Sequence, residues 1–341
     1  MPWPHFYFSP KTKTFVKMKA FKFALFSAVA FTVFSCGDDY NDYQAPKRTT
    51  TDIVTDSRQM RGPVEAQKNL EFPALSQMSG NVVIVHKSML NDARREQGIN
   101  YSVEWNITQQ TQHWTCYKAY GNIIRSSSSV NNVTRYYADN DGSLSATCQY
   151  PNDPELPSQY RFTSDPYKGS GYDHGHICPS ADRLRATEAN YQTFFITNMQ
   201  PQTPAFNGTH RTIKSDWSPW YRLEDRTRTW AGKSDTLYVC KGGVIGSNPS
   251  YIGSGSNRIP VPEYFFVALL SKKGNDYHAV GFWMKHESSY DRQHPLSEYT
   301  MSIQELEGKT GLDFFCNLRD DIEIEVETVD KATLLSDWDI Q

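Results

Sequence analysis

The 341-residue chain is 38% hydrophobic and has a formal net charge of −3. This is enough apolar sequence for a substantial core, and no internal repeat or membrane-spanning apolar run follows the N-terminal region, so we expect a globular body rather than a solenoid or an integral membrane protein. The charge is uneven, with ten Lys or Arg against seven Asp or Glu at 161–233, and eight acids against two bases at 319–341.

The first 36 residues predict an export signal, and its informative part begins at Met18, which we expect to be the true start. Lys19 and Lys22 precede a short apolar stretch ending at Phe34, followed by Ser35-Cys36. This order is typical of a secretory signal, and its end resembles a bacterial lipobox. We therefore expect a lipid anchor on Cys36 and a membrane-anchored exported protein, or a periplasmic or extracellular one if Cys36 is not lipidated.

Residues 37–75 are polar and contain scattered prolines, so they predict a tether. Residues 76–341 are expected to form a single domain. The predicted elements of this domain, in chain order, are strands at 82–86, 101–105 and 114–120, a helix at 183–192, a strand at 194–197, a helix at 217–230, strands at 237–241, 265–270 and 278–285, a helix at 303–310 closed by Gly311, and a strand at 322–326. Because no regular βαβ rhythm is present, the pattern favours an α+β fold.

Proton-handling groups are concentrated at residues 171–183, GYDHGHICPSADR, which place an acid and two histidines around Gly175. Imidazole titrates near neutral pH and can take a proton from water, so His176 and its neighbours are candidate catalytic residues. Two asparagines follow, Asn198 in TNMQPQ and Asn207 in AFNG. The cluster points to hydrolysis of a phosphodiester.

Further segments occur in a fixed order with this motif: FFITNMQPQ, AFN, YRLEDRTR, LYVCKGG, VPEYFFVALL and TGLDFF. Together, from about residue 82 to 318, they resemble the DNA/RNA non-specific endonuclease family, of the Serratia nuclease and endonuclease G type. The resemblance implies a ββα-metal nuclease fold with a central, mostly antiparallel sheet flanked by helices. It also implies a magnesium-dependent endonuclease that cuts DNA and RNA, with Mn²⁺ as a second ion, and it leaves a homodimer open.

The resemblance assigns roles residue by residue. His176 takes the place of the general base, and Asn207 that of the single protein ligand to the metal. Asp173 matches an acid beside the metal, Asn198 a polar residue supporting His176 or the substrate, and Glu224 an acid that holds metal-bound water. A lone amide ligand suits Mg²⁺, which prefers oxygen and keeps several waters.

The chain departs from the family pattern in two places. His174 stands where the family motif Asp-Arg-Gly-His has arginine, so a positive charge there depends on pH. The segment between Asn207 and Trp220 is longer than in the family. Arg161 is the candidate for the family's phosphate-binding arginine.

Other interpretations remain open from the sequence. His174 and His176, with His210 as a third ligand, are an alternative Zn²⁺ site. The chain is alternatively a weakened nucleic-acid-binding protein of the same fold, or a metal phosphodiesterase acting on small substrates. Five cysteines follow Cys36, an odd number, and Cys116 with Cys148 is one candidate disulfide.

Overall fold

Residues 63–76, 78–125 and 131–341 are described by a computed structural model of the chain. The predicted export signal, the Cys36 anchor and the first part of the tether lie outside these residues. The strands are β1 (Asn81–Asn91), β2 (Glu96–Asn106), β3 (Thr111–Ala119), β4 (Asp173–His176), β5 (Met199–Gln202), β6 (Thr236–Val244), β7 (Tyr251–Ser254), β8 (Asn257–Pro260), β9 (Tyr264–Lys273), β10 (Asp276–Lys285) and β11 (Thr300–Met301). The helices are α1 (Val64–Gln67), α2 (Thr187–Gln192), α3 (Pro204–Asn207), α4 (Pro219–Lys233), α5 (Ile303–Thr310), α6 (Asp320–Glu327) and α7 (Lys331–Asp337).

A seven-stranded sheet in the order β1-β2-β3-β6-β9-β10-β11 forms the centre of the fold. Every neighbouring pair in it is antiparallel. The predicted α+β class with a mostly antiparallel sheet is therefore confirmed. Chain neighbours are also sheet neighbours along β1-β2-β3 and β9-β10-β11, whereas the connection from β3 to β6 leaves the sheet and carries β4, β5 and α2 to α4.

Both faces of the sheet are buried, which the alternation of side chains along its strands explains. In β9, Phe265, Val267 and Leu269 belong to one apolar cluster, while Phe266 and Ala268 belong to the other. The first cluster includes residues of α3, α4 and α7, and the second includes residues of α1, α5 and α6. The sheet therefore has a helical layer on each face.

Two short strands and two helices form a separate unit on the first face. β4 pairs with β5 antiparallel, with Asp173 opposite Gln202 and His176 opposite Met199. β5 leads directly into α3, and α4 follows after a loop. α3 and α4 pack through the Phe206 and Trp220 rings, whose centroids are 5.6 Å apart.

Several predicted elements are wrong or shifted. Residues 194–197 were predicted as a strand, but the chain forms a 3-10 turn at Ile196–Asn198 and the strand begins one residue later as β5. Residues 322–326 were predicted as a strand and form α6, whose first turn carries three acids that favour a helix N-terminus. Only the second half of the predicted helix at 183–192 is helical, as α2.

The tether prediction is wrong for residues 63–75, which are folded onto the domain. Phe72 is fully buried and packs edge-on against Trp114, with ring centroids 5.6 Å apart. Asn317 donates from Nδ2 to the backbone carbonyls of Gln67 and Asn69, at 2.8 and 3.1 Å. Phe72, with Leu70 and Leu75 packed against the same apolar cluster, fixes this segment to the domain.

The candidate disulfide between Cys116 and Cys148 does not form. Both residues are buried free thiols. Cys116 lies in β3 opposite Cys240 of β6, so the register of the sheet pairs it with a different cysteine. Among the described residues, the helices are all too short or too polar to cross a membrane.

Candidate active site

β4 and β5 approach each other too closely for a side chain at position 175. A Cβ on Gly175 would lie 2.3 Å from the Gln202 side chain and 2.7 Å from the Gln200 carbonyl oxygen. Gln200 is itself fixed, since its Oε1 accepts a hydrogen bond of 2.6 Å from the Gly243 N–H of β6. The glycine thus lets β4 lie against a strand that is tied to the central sheet.

Asn198 holds the chain immediately after β4. It is fully buried, and its Oδ1 accepts from the Cys178 N–H at 2.8 Å. Its Nδ2 donates to the carbonyls of Cys178, at 2.9 Å, and Thr193, at 2.7 Å. All of these contacts are with the backbone, so Asn198 fixes the chain two residues beyond His176.

His176 has a buried ring nitrogen that forms no hydrogen bond with any other described group. Its Nε2 has no hydrogen-bond partner within those residues, and the ring packs perpendicular to Phe194 with centroids 4.8 Å apart. Burial is the main reason that the pKa of His176 lies well below 6.5, with the positive charge of Arg135 as the next cause. A hydrogen bond with the His174 backbone acts in the opposite direction. The imidazole is therefore neutral near pH 7 and able to accept a proton.

Asn207 lies at the end of α3 and contacts Asp173 of β4. Its Nδ2 donates to Asp173 Oδ2 at 3.0 Å, and the same carboxylate oxygen accepts from the Thr209 hydroxyl. Gly208, with φ of 76°, ends the helix in the left-handed conformation. Asp173 therefore sets the orientation of the amide, and no described group donates to Asn207 Oδ1.

This arrangement fits a hard divalent cation. Asn207 Oδ1 is an oxygen atom that can bind a metal ion, and it accepts no hydrogen bond from the described residues. The carboxylate of Asp173 lies beside this amide. Mg²⁺ and Mn²⁺ bind such donors and retain several waters when the protein supplies few ligands. The donor chemistry does not favour zinc, which prefers nitrogen and sulfur.

Glu224 and Lys241 form an ion pair, and the charge of Lys241 is one of the causes that lower the pKa of His176. Glu224 Oε1 lies 3.4 Å from Lys241 Nζ, and that ammonium lies 4.3 Å from the centroid of the Trp220 ring. Burial raises the pKa of Glu224, although the charges of Lys241 and Arg228 oppose the shift. Arg228 in turn pairs with Asp182 at 3.1 Å.

Lys241 and Arg228 were not predicted from the sequence. Lys241 had a detectable signal, because a lysine inside an apolar strand is rarely buried without an acidic partner. Arg228 follows Glu224 by four residues and so lies on the same face of α4. Neither signal identifies the partner without the fold.

His174 lies in a stack of aromatic rings. It is between Tyr150, with centroids 3.6 Å apart, and Tyr167, at 4.1 Å. Its Nε2 is 3.1 Å from both carboxylate oxygens of Asp165. Burial raises the pKa of Asp165, but the hydrogen bond and charge of His174 outweigh it, and the pKa is lowered overall.

The structure does not assemble the alternative zinc site. The only group of three His, Cys, Asp or Glu side chains close enough for a metal in the described part of the chain is Glu307, Asp313 and Glu327, on other elements. His210 Nδ1 accepts hydrogen bonds from the backbone of its own loop, at Thr212 and Ile213.

Arg161, the candidate phosphate-binding arginine, is engaged with its own loop. Its Nε donates to the Leu156 carbonyl and its Nη2 to the Pro154 carbonyl, both at 2.6 Å. Two of its N–H groups are thus committed to the backbone. The contacts of Arg161 do not include Asp173 or His176.

Comparison with known proteins agrees with this geometry. Residues 80–321 match the model of a family described as DNA/RNA non-specific endonuclease. A nuclease of Nostoc sp. is 30% identical over 236 residues, which cover 67% of this chain and 75% of that protein. Nuclease C1 of Cunninghamella echinulata is 26% identical over 226 residues, 64% of this chain and 81% of that protein.

More distant matches extend to animal mitochondria and to a solved structure. Human mitochondrial endonuclease G is 26% identical over 179 residues, 50% of this chain and 57% of that protein. A chain in the crystal structure of the EndoG/EndoGI complex superposes with a TM-score of 0.55 and 18% identity, covering 76% of this chain and 94% of that one. This last match concerns the fold.

Proposed function

Because the chain belongs to the DNA/RNA non-specific endonuclease family, which hydrolyses phosphodiester bonds, we propose that His176 is its general base and Asn207 its metal ligand. The observation that carries the proposal is the buried, unpartnered Nε2 of a neutral His176 on the strand whose Asp173 orients Asn207. A proton acceptor and an oxygen donor are thereby fixed on adjacent elements of one small unit.

The proposed reaction begins with a water beside His176. Nε2 takes a proton from this water, which attacks phosphorus in line with the 3′-oxygen. The bond between phosphorus and the 3′-oxygen breaks, the 3′-oxygen takes a proton from solvent water and leaves as a hydroxyl, and the phosphate stays on the 5′-oxygen. Asn207 Oδ1 would hold a Mg²⁺ ion, which when bound would supply electrostatic stabilisation to the negative charge that builds up on the phosphate and the leaving oxygen. Glu224 is proposed to support this site through a hydrogen-bonded water.

Cleavage without sequence preference requires contacts to the phosphates and sugars rather than to base edges. The groups gathered at β4, α3 and α4 are charged or amide side chains that can bind a phosphate or an ion. A single reaction centre of this kind accepts DNA and RNA alike, because the phosphodiester is common to both.

The test is cleavage of plasmid DNA and of RNA by the purified protein with Mg²⁺ or EDTA. We expect cleavage with Mg²⁺, none with EDTA, and a loss of about 10²–10⁴-fold for His176→Ala. Arg94→Ala, at an exposed position between β1 and β2, is the matched control and should cleave normally. Equal rates for wild type and His176→Ala, or inertness of wild type with every divalent ion, would refute the assignment.

The alternatives give different results in the same assay. Salt-dependent DNA binding without cleavage under any condition would identify a binding protein of this fold. Hydrolysis of a chromogenic phosphodiester but not of polymers would identify a phosphodiesterase for small substrates.

We also propose that the chain is exported and anchored through a lipid on Cys36. The support is the order Lys19, Lys22, apolar stretch, Ser35-Cys36 in the sequence. Membrane fractionation of wild type and Cys36→Ser tests it, since the variant should leave the membrane fraction. A Cys36→Ser protein that fractionates with the membrane like wild type contradicts the anchor.

A further inference from the structure

A loop follows the candidate metal ligand directly. Residues 208–218, the α3–α4 loop, connect α3 to α4. The N–H groups of Thr209 and His210 both donate to the carbonyl of the first residue of α3, at 2.8 and 3.0 Å. The Thr209 hydroxyl donates to the Asp173 carboxylate that orients Asn207. The loop therefore begins within the same group of hydrogen bonds as the candidate metal ligand.

The rest of the α3–α4 loop is held in place by contacts within itself and with the domain. His210 Nδ1 accepts from the N–H groups of Thr212, at 3.2 Å, and Ile213, at 3.1 Å. Ile213 and Trp217 pack against the first apolar cluster. At the end of the loop, the Ser218 hydroxyl donates to a backbone carbonyl of α3. A surface that is already ordered loses little entropy when a ligand binds to it.

Two cations of the α3–α4 loop have no anionic partner among the side chains that the structure describes. Arg211 and Lys214 are both exposed, and neither pairs with a described carboxylate. Asp216 is the one acid of the loop, and it is exposed as well. The Lys214 ammonium lies 6.0 Å from the centroid of the Trp217 ring. Both cations are therefore accessible to a ligand from solvent.

Two cations farther along the chain are instead compensated by carboxylates. Lys241 pairs with Glu224 at 3.4 Å, and Arg228 pairs with Asp182 at 3.1 Å. A nucleic acid carries a charge on every phosphate, and it binds where cations are free to replace its counterions. The α3–α4 loop offers such cations, whereas the paired groups supply little net charge for this purpose.

An exposed aromatic ring lies beside the start of the loop. Tyr221, in the first turn of α4, is 44% exposed. A Cβ on Gly208 would lie 3.0 Å from Tyr221 Cβ and Cδ2, so this side chain packs on the backbone next to Asn207. Proteins that bind single strands combine cations for the phosphates with aromatic rings on which bases stack, and this combination tolerates any sequence. The loop and the first turn of α4 contain both kinds of group.

We propose that the α3–α4 loop binds the nucleic-acid strand next to the reaction centre, with Arg211 and Lys214 on phosphates and Tyr221 against a base. Arg211 is two residues from Thr209, at most about 7 Å between Cα atoms, so a phosphate bound there lies close to the centre. Neither cation is hydrogen-bonded to Asn207 or to the described groups of β4, so we assign them to phosphates beside the cleaved one. The inference rests on the proposed nuclease function and adds a surface that only a polymer reaches.

Two substrates test the inference by activity. Arg211→Gln combined with Lys214→Gln removes both charges, and Lys233→Gln, at an exposed lysine in the last turn of α4, is the matched control. We expect kcat/KM on a DNA duplex to fall about 10-fold for the double variant, mostly through KM. On a chromogenic phosphodiester the double variant should stay within twofold of wild type, because this small substrate does not extend to the loop. A kcat/KM on DNA within twofold of wild type, or equal losses on both substrates, would overturn the inference.

Binding in EDTA tests the two cations without cleavage of either substrate. The affinity for the duplex is measured at several salt concentrations. The slope of log affinity against log salt should decrease in magnitude by about 1.8 for the double variant, which is about 0.9 for each of two phosphate contacts. Lys233→Gln should keep the wild-type slope. An unchanged slope for the double variant contradicts the assignment, and thermal unfolding of each variant shows whether its fold is intact.

Tyr221→Leu tests the stacking contact. Leucine keeps an apolar side chain against Gly208 and removes the aromatic ring. We expect the affinity for a single-stranded oligonucleotide in EDTA to fall about fivefold or more, with an unchanged salt slope, because stacking involves no counterion. An affinity equal to that of wild type refutes the contact of Tyr221 with a base.

The outcomes for the two proposals are distinguishable. Wild type that binds DNA with a slope that depends on Arg211 and Lys214 but never cleaves refutes the nuclease proposal and supports the loop. Wild type that cleaves while the double variant matches it in both measurements refutes only the role of the loop. A chain that neither binds nor cleaves refutes both.

Discussion

Burial fixes the protonation state of His176, and this has a consequence for pH dependence. Because its pKa is lowered well below 6.5, the neutral, proton-accepting form persists as pH falls from 8 to 6.5 and is lost only as pH falls through the lowered value. We expect kcat/KM to be level across pH 6.5–8 and to decline at lower pH. A pH profile at constant ionic strength measures this, and an acidic limb centred above pH 6.5 contradicts it.

The variant Arg135→Gln should shift the pH profile of kcat/KM. Since the charge of Arg135 is one cause of the lowered pKa of His176, its removal should move the acidic limb to higher pH. Arg94→Ala should leave the limb in place.

The sequence predicted part of the candidate site at residue level. Asp173 and Asn207 are brought together, and His176 lies three residues from Asp173, as the motif indicated. Arg135, Lys241 and the Asp165 partner of His174 were missed. Asp165 lies nine residues from His174 and Lys241 lies 17 residues from Glu224, and the sequence contains no periodicity that relates these partners.

At the scale of single elements, the position of β4 depends on the buried side-chain amide of Asn198. The sequence predicted that Asn198 belongs to the site but did not predict its hydrogen-bond partners. Asn198→Ala removes three buried hydrogen bonds and leaves backbone groups of Cys178 and Thr193 unpaired. We expect a loss of at least about 2 kcal/mol of stability, and a fall in Tm of about 4–8 °C.

Asn207→Ala is the matched control, because it lies in the same unit and makes one side-chain hydrogen bond, to Asp173. It should lower activity while changing Tm little. Calorimetry measures the Tm of both variants. A Tm for Asn198→Ala equal to that of wild type contradicts the structural role of Asn198.

Partly buried carboxyl groups of α5 and α6 should make the protein less stable as pH rises through neutrality. Burial, with nearby carboxylates, raises the pKa of Glu307 to about 7 and of Glu327 to about 8. Since these values exceed the usual 4.5, the stabilising contribution is complete below pH 4.5 and is lost as pH rises through 7 to 8. Tm should therefore fall between about pH 5 and 8.

Glu327→Gln should reduce that fall, with a Tm about 2 °C above wild type at pH 9 and no difference at pH 5. Glu325→Gln, an exposed position of the same helix, is the control and should behave like wild type. If Glu327→Gln and Glu325→Gln melt alike at pH 9, the carboxylate cluster does not limit stability.

Local signals explain which elements were predictable. The helix α5 was predicted with its true ends, because Ser302 and Glu305 form a capping box at its start and Gly311 ends it in the left-handed conformation. α6 was predicted as a strand because Ile322, Ile324 and Val326 alternate with acids. Its helix is fixed by packing of Val326 against the sheet, which overrides the alternation.

For the molecule as a whole, the folded domain begins earlier than the sequence indicated. Phe72→Ala should cost about 3–5 kcal/mol, because a fully buried ring is removed from its contact with Trp114. Val64→Ala, at a side chain that is 57% exposed in the same segment, should be nearly neutral. Urea unfolding of the two variants provides the comparison.

A chain that starts at Leu75 should be less stable than one that starts at Pro63. Equal stability of the two shortened chains would show that the segment contributes nothing to the domain. The segment was predicted as part of a tether because residues 37–75 as a whole are polar with scattered prolines, although residues 63–75 include Leu70, Phe72 and Leu75.

The order of the strands in the sheet explains where the unit of β4, β5, α3 and α4 is inserted. β3 and β6 are neighbours in the sheet, with Cys116 opposite Cys240. The connection between them is nevertheless more than a hundred residues long and contains β4, β5 and α2 to α4. The entropy of closing a loop grows only slowly, by about 0.6 kcal/mol for each doubling of its length. Insertions in this connection therefore add little to the cost of folding the sheet. Substrate preference can change here through added or removed loop residues while the sheet that supports the chemistry stays the same.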